Sequence, residues 1–295
     1  MKILVPASSA NLGPGFDCFG IAWQLYNELE FIPGGDGLVI TGCGEKYSNE
    51  NNLAYRAYKA VLERFHLAPE PLTINFLRCD IPISRGLGSS SALLVAGVMA
   101  ANAIHGLSMS RDELLSVATA LEGHPDNVAP ALFGGLTASA VEAGIPLSVH
   151  YPLSSQLFFT ALIPPFELST ELSRKVLPHD VPRADAIFNV SRAALMLSAL
   201  GSGDIALLRA AMADRLHEPY RRALIDGYDT ARGLAYKHGA EAMCISGAGS
   251  TLLCVAAHPD LAANISADLA AHLPGWRAVS LLPELEGARI EGCSP

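Results

Sequence analysis

The sequence predicts an α+β fold in two domains, with α/β as its near neighbour, and three observations carry the prediction. The chain has 295 residues, enough for one large or two medium domains at about 100–200 residues each. Apolar residues make up 50% and charged residues 17%, so burial can offset chain ordering, and a disordered, low-complexity or collagen-like protein is excluded. Short apolar runs alternate with stretches of helical period along the whole length.

The elements follow in order. Lys2–Pro6, Glu28–Ile32, Leu38–Thr41 and Leu72–Leu77 are short apolar or alternating runs bounded by turn residues, the mark of strands. Asn51–Phe65 places Leu53, Ala57, Ala60, Val61 and Phe65 at helical spacing, with Asn51 or Asn52 as its cap. An Ala-rich helix runs from Gly88 to His105-Gly106, and another from Ser110 to Leu121 carries Asp112 and Glu113 in its first turn. In the second half Leu157–Ile163 is a buried-strand run stopped by Pro164-Pro165. Helices are predicted over Ala184–Leu200, Ile205–Ala213 and Arg222–His238. Ala242–Ser246 and Thr251–Ala256 form a hairpin around Gly247-Ala248-Gly249, and a last helix, Leu261–Leu273, starts after Pro259. The change of pattern near Tyr151–Gln156 sets the expected domains at 1–152 and 153–295.

Charge and cysteines narrow the function. Twenty Lys and Arg against 29 Asp and Glu give a net charge of −9, which leaves no basic footprint for nucleic acid or an anionic membrane. The longest apolar run, Ala92–Ala101, is broken by Asn102 and His105 before it could span a bilayer. Met1–Pro6 lacks the apolar core of a signal peptide, so a cytoplasmic protein is expected. Cys18, Cys43, Cys79, Cys244, Cys254 and Cys293 make no C-x-x-C pair and no Cys/His cluster, so buried reduced thiols are expected rather than zinc or disulfides.

The densest chemical signal is Pro82-Ile83-Ser84-Arg85-Gly86-Leu87-Gly88-Ser89-Ser90-Ser91-Ala92, set between a strand and a long helix. Two glycines let the backbone approach an anion, three hydroxyls add donors, and the free N–H groups of the helix start point at whatever sits there. It is neither a Walker loop nor a dinucleotide fingerprint, since no G-K-[ST] follows and the third glycine is absent. A solvated helix cap is the competing reading. Two further loops, Ala7–Asp17 and Ile245–Thr251, are by themselves an ordinary polar connection and a hairpin turn.

Together, in this order, the three segments resemble the GHMP kinase superfamily, whose signature P-x-x-x-G-L-G-S-S-x-A the middle segment matches residue by residue. Within it the similarity is greatest to the homoserine kinase family, on Pro6–Asp17, on Glu122-Gly123-His124-Pro125-Asp126-Asn127-Val128-Ala129-Pro130 and on His217-Glu218-Pro219-Tyr220-Arg221. The resemblance implies an N-terminal α/β domain like domain 2 of ribosomal protein S5 and a ferredoxin-like C-terminal α+β domain. It implies ATP-dependent phosphorylation of L-homoserine to O-phospho-L-homoserine in threonine biosynthesis. A relative acting on another small alcohol, such as threonine, mevalonate or shikimate, is the alternative.

The site residues come with the resemblance. ATP is expected in a syn-like pocket, wrapped by Pro82, Ile83, Ser84, Arg85, Gly86, Leu87, Gly88, Ser89, Ser90, Ser91 and Ala92, with Arg85 either a flexible charge at the rim or a solvated side chain. Ser90 and Glu122 would hold Mg2+, which prefers hard oxygen ligands; a solvent-facing Glu122 is the alternative, disfavoured at a helix C-terminus. Asp126 would orient the acceptor hydroxyl and take its proton, or else cap the helix that follows. The substrate set is Asn11, Asp17, His124, Asp126, Arg192, Arg221 and Gly247, with Arg192 and Arg221 on the carboxylate through their bidentate forks, Asp17 on the ammonium, Gly247 closing the pocket, and Asn52 lining the adenine site. The expected partners are the small-molecule substrate and, as the commonest assembly of soluble enzymes, a second copy of the chain, although no interface signal stands out beyond apolar abundance.

Overall fold

The structure, a computed structural model, describes residues 1–291. The chain builds two sheets. The first has seven strands, β1 (Lys2–Ala10), β2 (Phe19–Pro33), β3 (Leu38–Thr41), β4 (Leu72–Cys79), β5 (Leu136–Glu142), β6 (Ile145–Tyr151) and β11 (Arg289–Glu291). Their order is β11-β1-β2-β4-β3. The first turn of β2, Phe19–Ile21, pairs β5, and its second half pairs β4, so one long strand carries two neighbours on the same edge. Among the described residues, only β3 and β4 run parallel.

The second sheet comprises β7 (Phe158–Ile163), β8 (Ala240–Ile245), β9 (Leu252–Ala256) and β10 (Arg277–Leu281), all antiparallel in the order β10-β7-β9-β8. With helices between β7 and β8 and α10 (Leu261–His272) between β9 and β10, this is the split β-α-β connection of a ferredoxin-like unit. Between β7 and β8 lie α5 (Thr170–Lys175), α6 (Arg183–Ser202), α7 (Ile205–Ala211), α8 (Glu218–Arg221) and α9 (Tyr228–Lys237).

On the first sheet lie α1 (Leu53–Arg64), α2 (Ser89–Ile104), α3 (Arg111–Glu122) and the short α4 (Val128–Phe133). Helix α2 is apolar all round because it is covered all round, by α1, α3, α4 and β1. Gly97 makes the tightest of these approaches, since a Cβ there would lie 2.1 Å from the Ala54 carbonyl oxygen. The helix that begins at the glycine loop is thus fixed along its length, and α3 is set by a capping box at Ser110 and Glu113.

The helices predicted from caps and period are present, with three corrections. Strand β1 continues to Ala10, so Ala7–Ala10 is buried strand rather than polar loop. Its small residues allow the glycine loop to pack on it: a Cβ on Gly88 would lie 2.2 Å from Ser8 Oγ. The single helix expected over Arg222–His238 is split: a 3-10 turn over Arg222–Leu224 ends at the extended Ile225, and α9 begins after Gly227, whose φ is +81°. Tyr220 and Arg221 lie in α8, a helical turn with Pro at its start that falls before the helix expected from Arg222. Strands β5, β6, β10 and β11 and helix α5 lie outside every predicted element.

Among the cysteines, Cys244 and Cys254 are buried free thiols, but Cys18 and Cys43 are half-buried and Cys79 is exposed, because it ends β4 at the rim of a cleft. Cys293 lies outside the described residues. No helix among the described residues is long and apolar enough to cross a membrane.

Candidate active site

The glycine loop turns sharply before α2. Ser84, Gly86 and Gly88 all have positive φ, and Gly88, at the cap position of α2, supplies no side-chain cap. The first-turn N–H groups of a 16-residue helix are therefore left open where the chain narrows to glycine, as an anion site requires. The loop opens on a cleft of about 460 Å³.

Neighbouring loops hold this turn. A Cβ on Gly86 would lie 2.1 Å from the Ser246 carbonyl oxygen, so only glycine permits the approach. Ser246 Oγ donates to Gly86 O, Thr251 N to Arg85 O, and Ser8 N to Leu87 O. Arg85 is neither flexible nor solvated: Nε and Nη2 donate to the carbonyls of Pro164 and Pro165, and Nη1 to Ile83 O. Of the residues expected around ATP, Pro82 lies outside the cleft lining, Leu87 and Ala92 are buried in the core, and Ser91 is buried against Glu122; for Ser91 and Ala92 the period of α2 turns the side chain inward. Ile83, Ser84, Arg85, Gly86, Gly88, Ser89 and Ser90 do line it.

One wall is acidic. Glu122, the last residue of α3, accepts from Ser90 Oγ at 2.6 Å and from Ser91 Oγ at 2.8 Å, so the carboxylate is pinned to the helix start rather than left in solvent. Next to it Asp126 is fully buried, with His124 Nδ1 at 2.5 Å from Oδ1. Asp126 does not cap α4. Asn127 holds that position, and its side-chain oxygen accepts from Ser8 Oγ instead. The ligand atoms of Asp17, His124 and Asp126 lie within 4.8 Å of one another. Burial works against a charge on His124, but the hydrogen bond and charge of Asp126 and the charge of Glu122 outweigh it and raise the imidazole's proton affinity.

Facing this wall are arginines, though not the expected pair. Arg221 is buried, donating from Nη1 to Gly247 O, and lines the cleft. Arg192 does not line it: its guanidinium lies 3.3 Å from the ring centroid of Phe188, one turn back on α6. Arg174 of α5 stands on the cleft instead, gripping Asp17 through both terminal nitrogens at 2.6 and 3.1 Å. Both cleft arginines flank Phe16, at 5.8 Å for Arg174 and 5.0 Å for Arg221. Burial, and then the like charge of Arg174, push Arg221 down to about 10. An anion between the two would relieve that repulsion.

Asn11 holds the first loop to the third, donating to Gly247 O at 3.0 Å and accepting the Asp17 N–H at 2.7 Å. The expected residues Asn11, Glu122, His124, Arg221 and Gly247 thus meet on one cleft, with Asp17 and Asp126 immediately behind Arg174 and His124. At the opposite, apolar end stand Tyr47, Leu53, Phe76 and Ile81, beside Asn52, which caps α1 as well as lining the cleft.

Residues 52–135 match the model of the GHMP kinases N terminal domain, and residues 196–275 that of the GHMP kinases C terminal domain. A homoserine kinase of Clostridium botulinum (strain Alaska E43 / Type E3) is 41% identical over 98% of this chain and 97% of its own length. The chain belongs to the homoserine kinase family. A second homoserine kinase, from Clostridium botulinum strain ATCC 19397, is 40% identical over 99% of both chains. Among solved structures, a homoserine kinase from Cytophaga hutchinsonii superposes with a TM-score of 0.86 at 26% identity, covering 98% of this chain and 96% of that one. Mevalonate kinase from L. major shares the fold, with a TM-score of 0.72 at 17% identity over 96% of each chain.

Within this homoserine kinase frame, the charged cleft residue that sequence reasoning missed is Arg174. It sits on a six-residue helix, too short for a periodic signal. The available signal was Ser169, which caps that helix by accepting the Leu172 N–H.

Proposed function

We propose that the protein transfers the γ-phosphoryl group of ATP to the side-chain hydroxyl of L-homoserine, giving O-phospho-L-homoserine, a step towards threonine. One observation carries the reading: an uncapped helix start, a Ser–Glu oxygen pair, and two arginines, one of them gripping Asp17, open on one cleft. The first suits a triphosphate, and the last suits the carboxylate and ammonium of an amino acid.

In this reading residues 1–152 form the ATP-binding unit, while 153–295 bring Arg174, Arg221 and Gly247 to its open side. The adenine ring lies at the apolar end near Asn52, and the phosphates take the N–H groups of the α2 start. Arg174 and Arg221 hold the substrate carboxylate, and Asp17 faces its ammonium. His124 and Asp126 orient the hydroxyl, whose proton Asp126 accepts at Oδ2, the oxygen that has no protein partner. Since phosphoryl transfer passes through a loose transition state, positioning and charge neutralisation carry most of the catalysis.

The hard-oxygen pair Ser90 Oγ and Glu122 fits Mg2+. Bound there, the ion would neutralise charge on the transferring phosphates. The location expected is the cytoplasm, and the partner the small-molecule substrate, with a homodimer as the assembly.

ADP release measured over homoserine, threonine, mevalonate and shikimate tests the reading. Homoserine is expected to give the highest kcat/KM. Preference for another alcohol would instead favour a sister kinase on the same fold.

A further inference from the structure

Arg221 is only 1% exposed, and a buried guanidinium keeps its direction only where its donors find acceptors. Nε donates to Ser173 O at 3.2 Å, and Nη1 donates to Gly247 O at 3.2 Å and meets Nδ1 of His217 at 3.3 Å. His217 is itself fully buried, with Nε2 at 3.0 Å from the Gly13 carbonyl oxygen. A carbonyl only accepts and a guanidinium only donates. The two partners therefore fix the ring: Nε2 carries the proton and Nδ1 offers its lone pair.

The surroundings enforce this arrangement. Phe16 stacks on the imidazole with centroids 5.2 Å apart and presents its ring to the Arg221 guanidinium as well. The turn bearing His217 is held by Asp214, whose carboxylate accepts the backbone N–H groups of Leu216, His217 and Glu218 and the side-chain amide of Asn189. Three contacts thus aim the ring itself, and four hydrogen bonds to Asp214 hold the turn that carries it.

We propose that His217 is a positioning residue for the substrate: as the neutral Nε2–H tautomer it aims Arg221 at the substrate carboxylate, and a second proton on the ring ends that hold. The proposal rests on the assignment of Arg221 to the carboxylate made above. Charged groups surround the ring from four segments. Asp214, 3.8 Å from Nε2, and Asp17 in the first loop favour the imidazolium; Arg221 on α8 opposes it, and Arg174 on α5 stands across Phe16. Burial prevails and keeps proton affinity below that of an ordinary histidine. An imidazolium would place Nδ1–H against the guanidinium, two donors and two positive charges face to face. Loss of substrate affinity in acid, with ATP affinity retained, is the consequence.

Long-range 1H–15N NMR of the full chain near neutral pH reads the tautomer directly. A protonated Nε2 with a bare Nδ1 is expected, and an Nδ1–H tautomer or an imidazolium overturns the proposal. In kinetics, His217→Leu is expected to raise the homoserine KM about 10- to 100-fold and leave the ATP KM unchanged. His217→Gln, whose amide both donates and accepts, is expected to recover most of that loss and to remove the acid limb of kcat/KM for homoserine. Equal rises in the two KM values, or an acid limb kept at the wild-type midpoint in His217→Gln, overturn it. Arg221→Ala separates the layers. An unchanged homoserine KM there overturns both the assignment of Arg221 and this proposal, whereas a raised KM beside unaffected His217 variants overturns the proposal alone.

Discussion

Nδ1 of His124 lies 2.5 Å from Oδ1 of Asp126, while Oδ2 of the same buried carboxylate has no hydrogen-bond partner. A buried oxygen left unpaired costs about 1–3 kcal/mol, so one in a native structure calls for an explanation such as a catalytic role or a bound water or ion. The neighbouring residues concentrate charge on this point, with Asp17 within ligand distance and Arg174 gripping it.

Asp126→Asn keeps the shape and removes the basic oxygen. The expected outcome is a fall in kcat of about 100-fold or more, with a smaller change in the ATP KM, measured by ADP release at saturating Mg2+. A kcat within a few-fold of wild type would leave Asp126 a structural anchor for His124.

The exchange of Arg192 for Arg174 gives a paired test. Arg174→Ala removes a charge-assisted fork and is expected to raise the homoserine KM about 10- to 100-fold. Arg192→Ala, which loses its stacking on Phe188 and a 3.4 Å hydrogen bond from Nη1 to the Phe188 carbonyl, should leave both KM values within about twofold. The steady-state KM for homoserine in the two variants checks the order, and a larger effect at Arg192 reverses the assignment.

Why Arg192 looked eligible and Arg174 did not is a matter of scale. A helix of 20 residues declares itself by period, but which neighbour each face meets is a tertiary fact: Arg192 falls one turn from Phe188 and stacks there. The glycine loop was legible because its chemistry is local, positive φ at Gly86 and Gly88 followed by a helix start. The β5–β6 hairpin carried a signal that went unread, two alternating seven-residue runs joined by Ala143-Gly144, both with positive φ. Strand β11 had none, since three residues at the chain's end reach the first sheet only through pairing with β1.

Gly86→Ala and Gly106→Ala compare clash with strain. Both glycines have positive φ, +75° and +59°, but a Cβ on Gly106 meets nothing within 4 Å, whereas one on Gly86 drives into the third loop. Gly106→Ala should cost only left-handed strain, about 1–2 kcal/mol. Gly86→Ala should cost more, lower Tm further, and raise the ATP KM, because relief of the clash must move the glycine turn at the start of α2. Calorimetry with ATP kinetics checks both; equal losses in Tm with unchanged ATP KM would show that the third loop does not hold the glycine turn.

Glu218 supplies a pH test of the fold behind Arg221. Its Oε1 accepts the Ile245 N–H at 2.6 Å, and its side chain lines a second cavity of about 260 Å³. Burial raises its carboxyl to about 8, the Ile245 bond opposes this, and the charge of Asp214 adds to it. The sign follows from linkage: between the ordinary value of 4.5 and about 8 the folded state binds more protons than the unfolded chain, so stability falls as pH rises through that window. Glu218→Gln keeps an acceptor for Ile245 and cannot titrate. Its Tm relative to wild type is therefore expected to climb as pH rises from the lower to the upper end of the window, then to level off. A difference in Tm that stays constant across the window would mean that Glu218 titrates normally and that water in the cavity, rather than protein, surrounds its carboxyl.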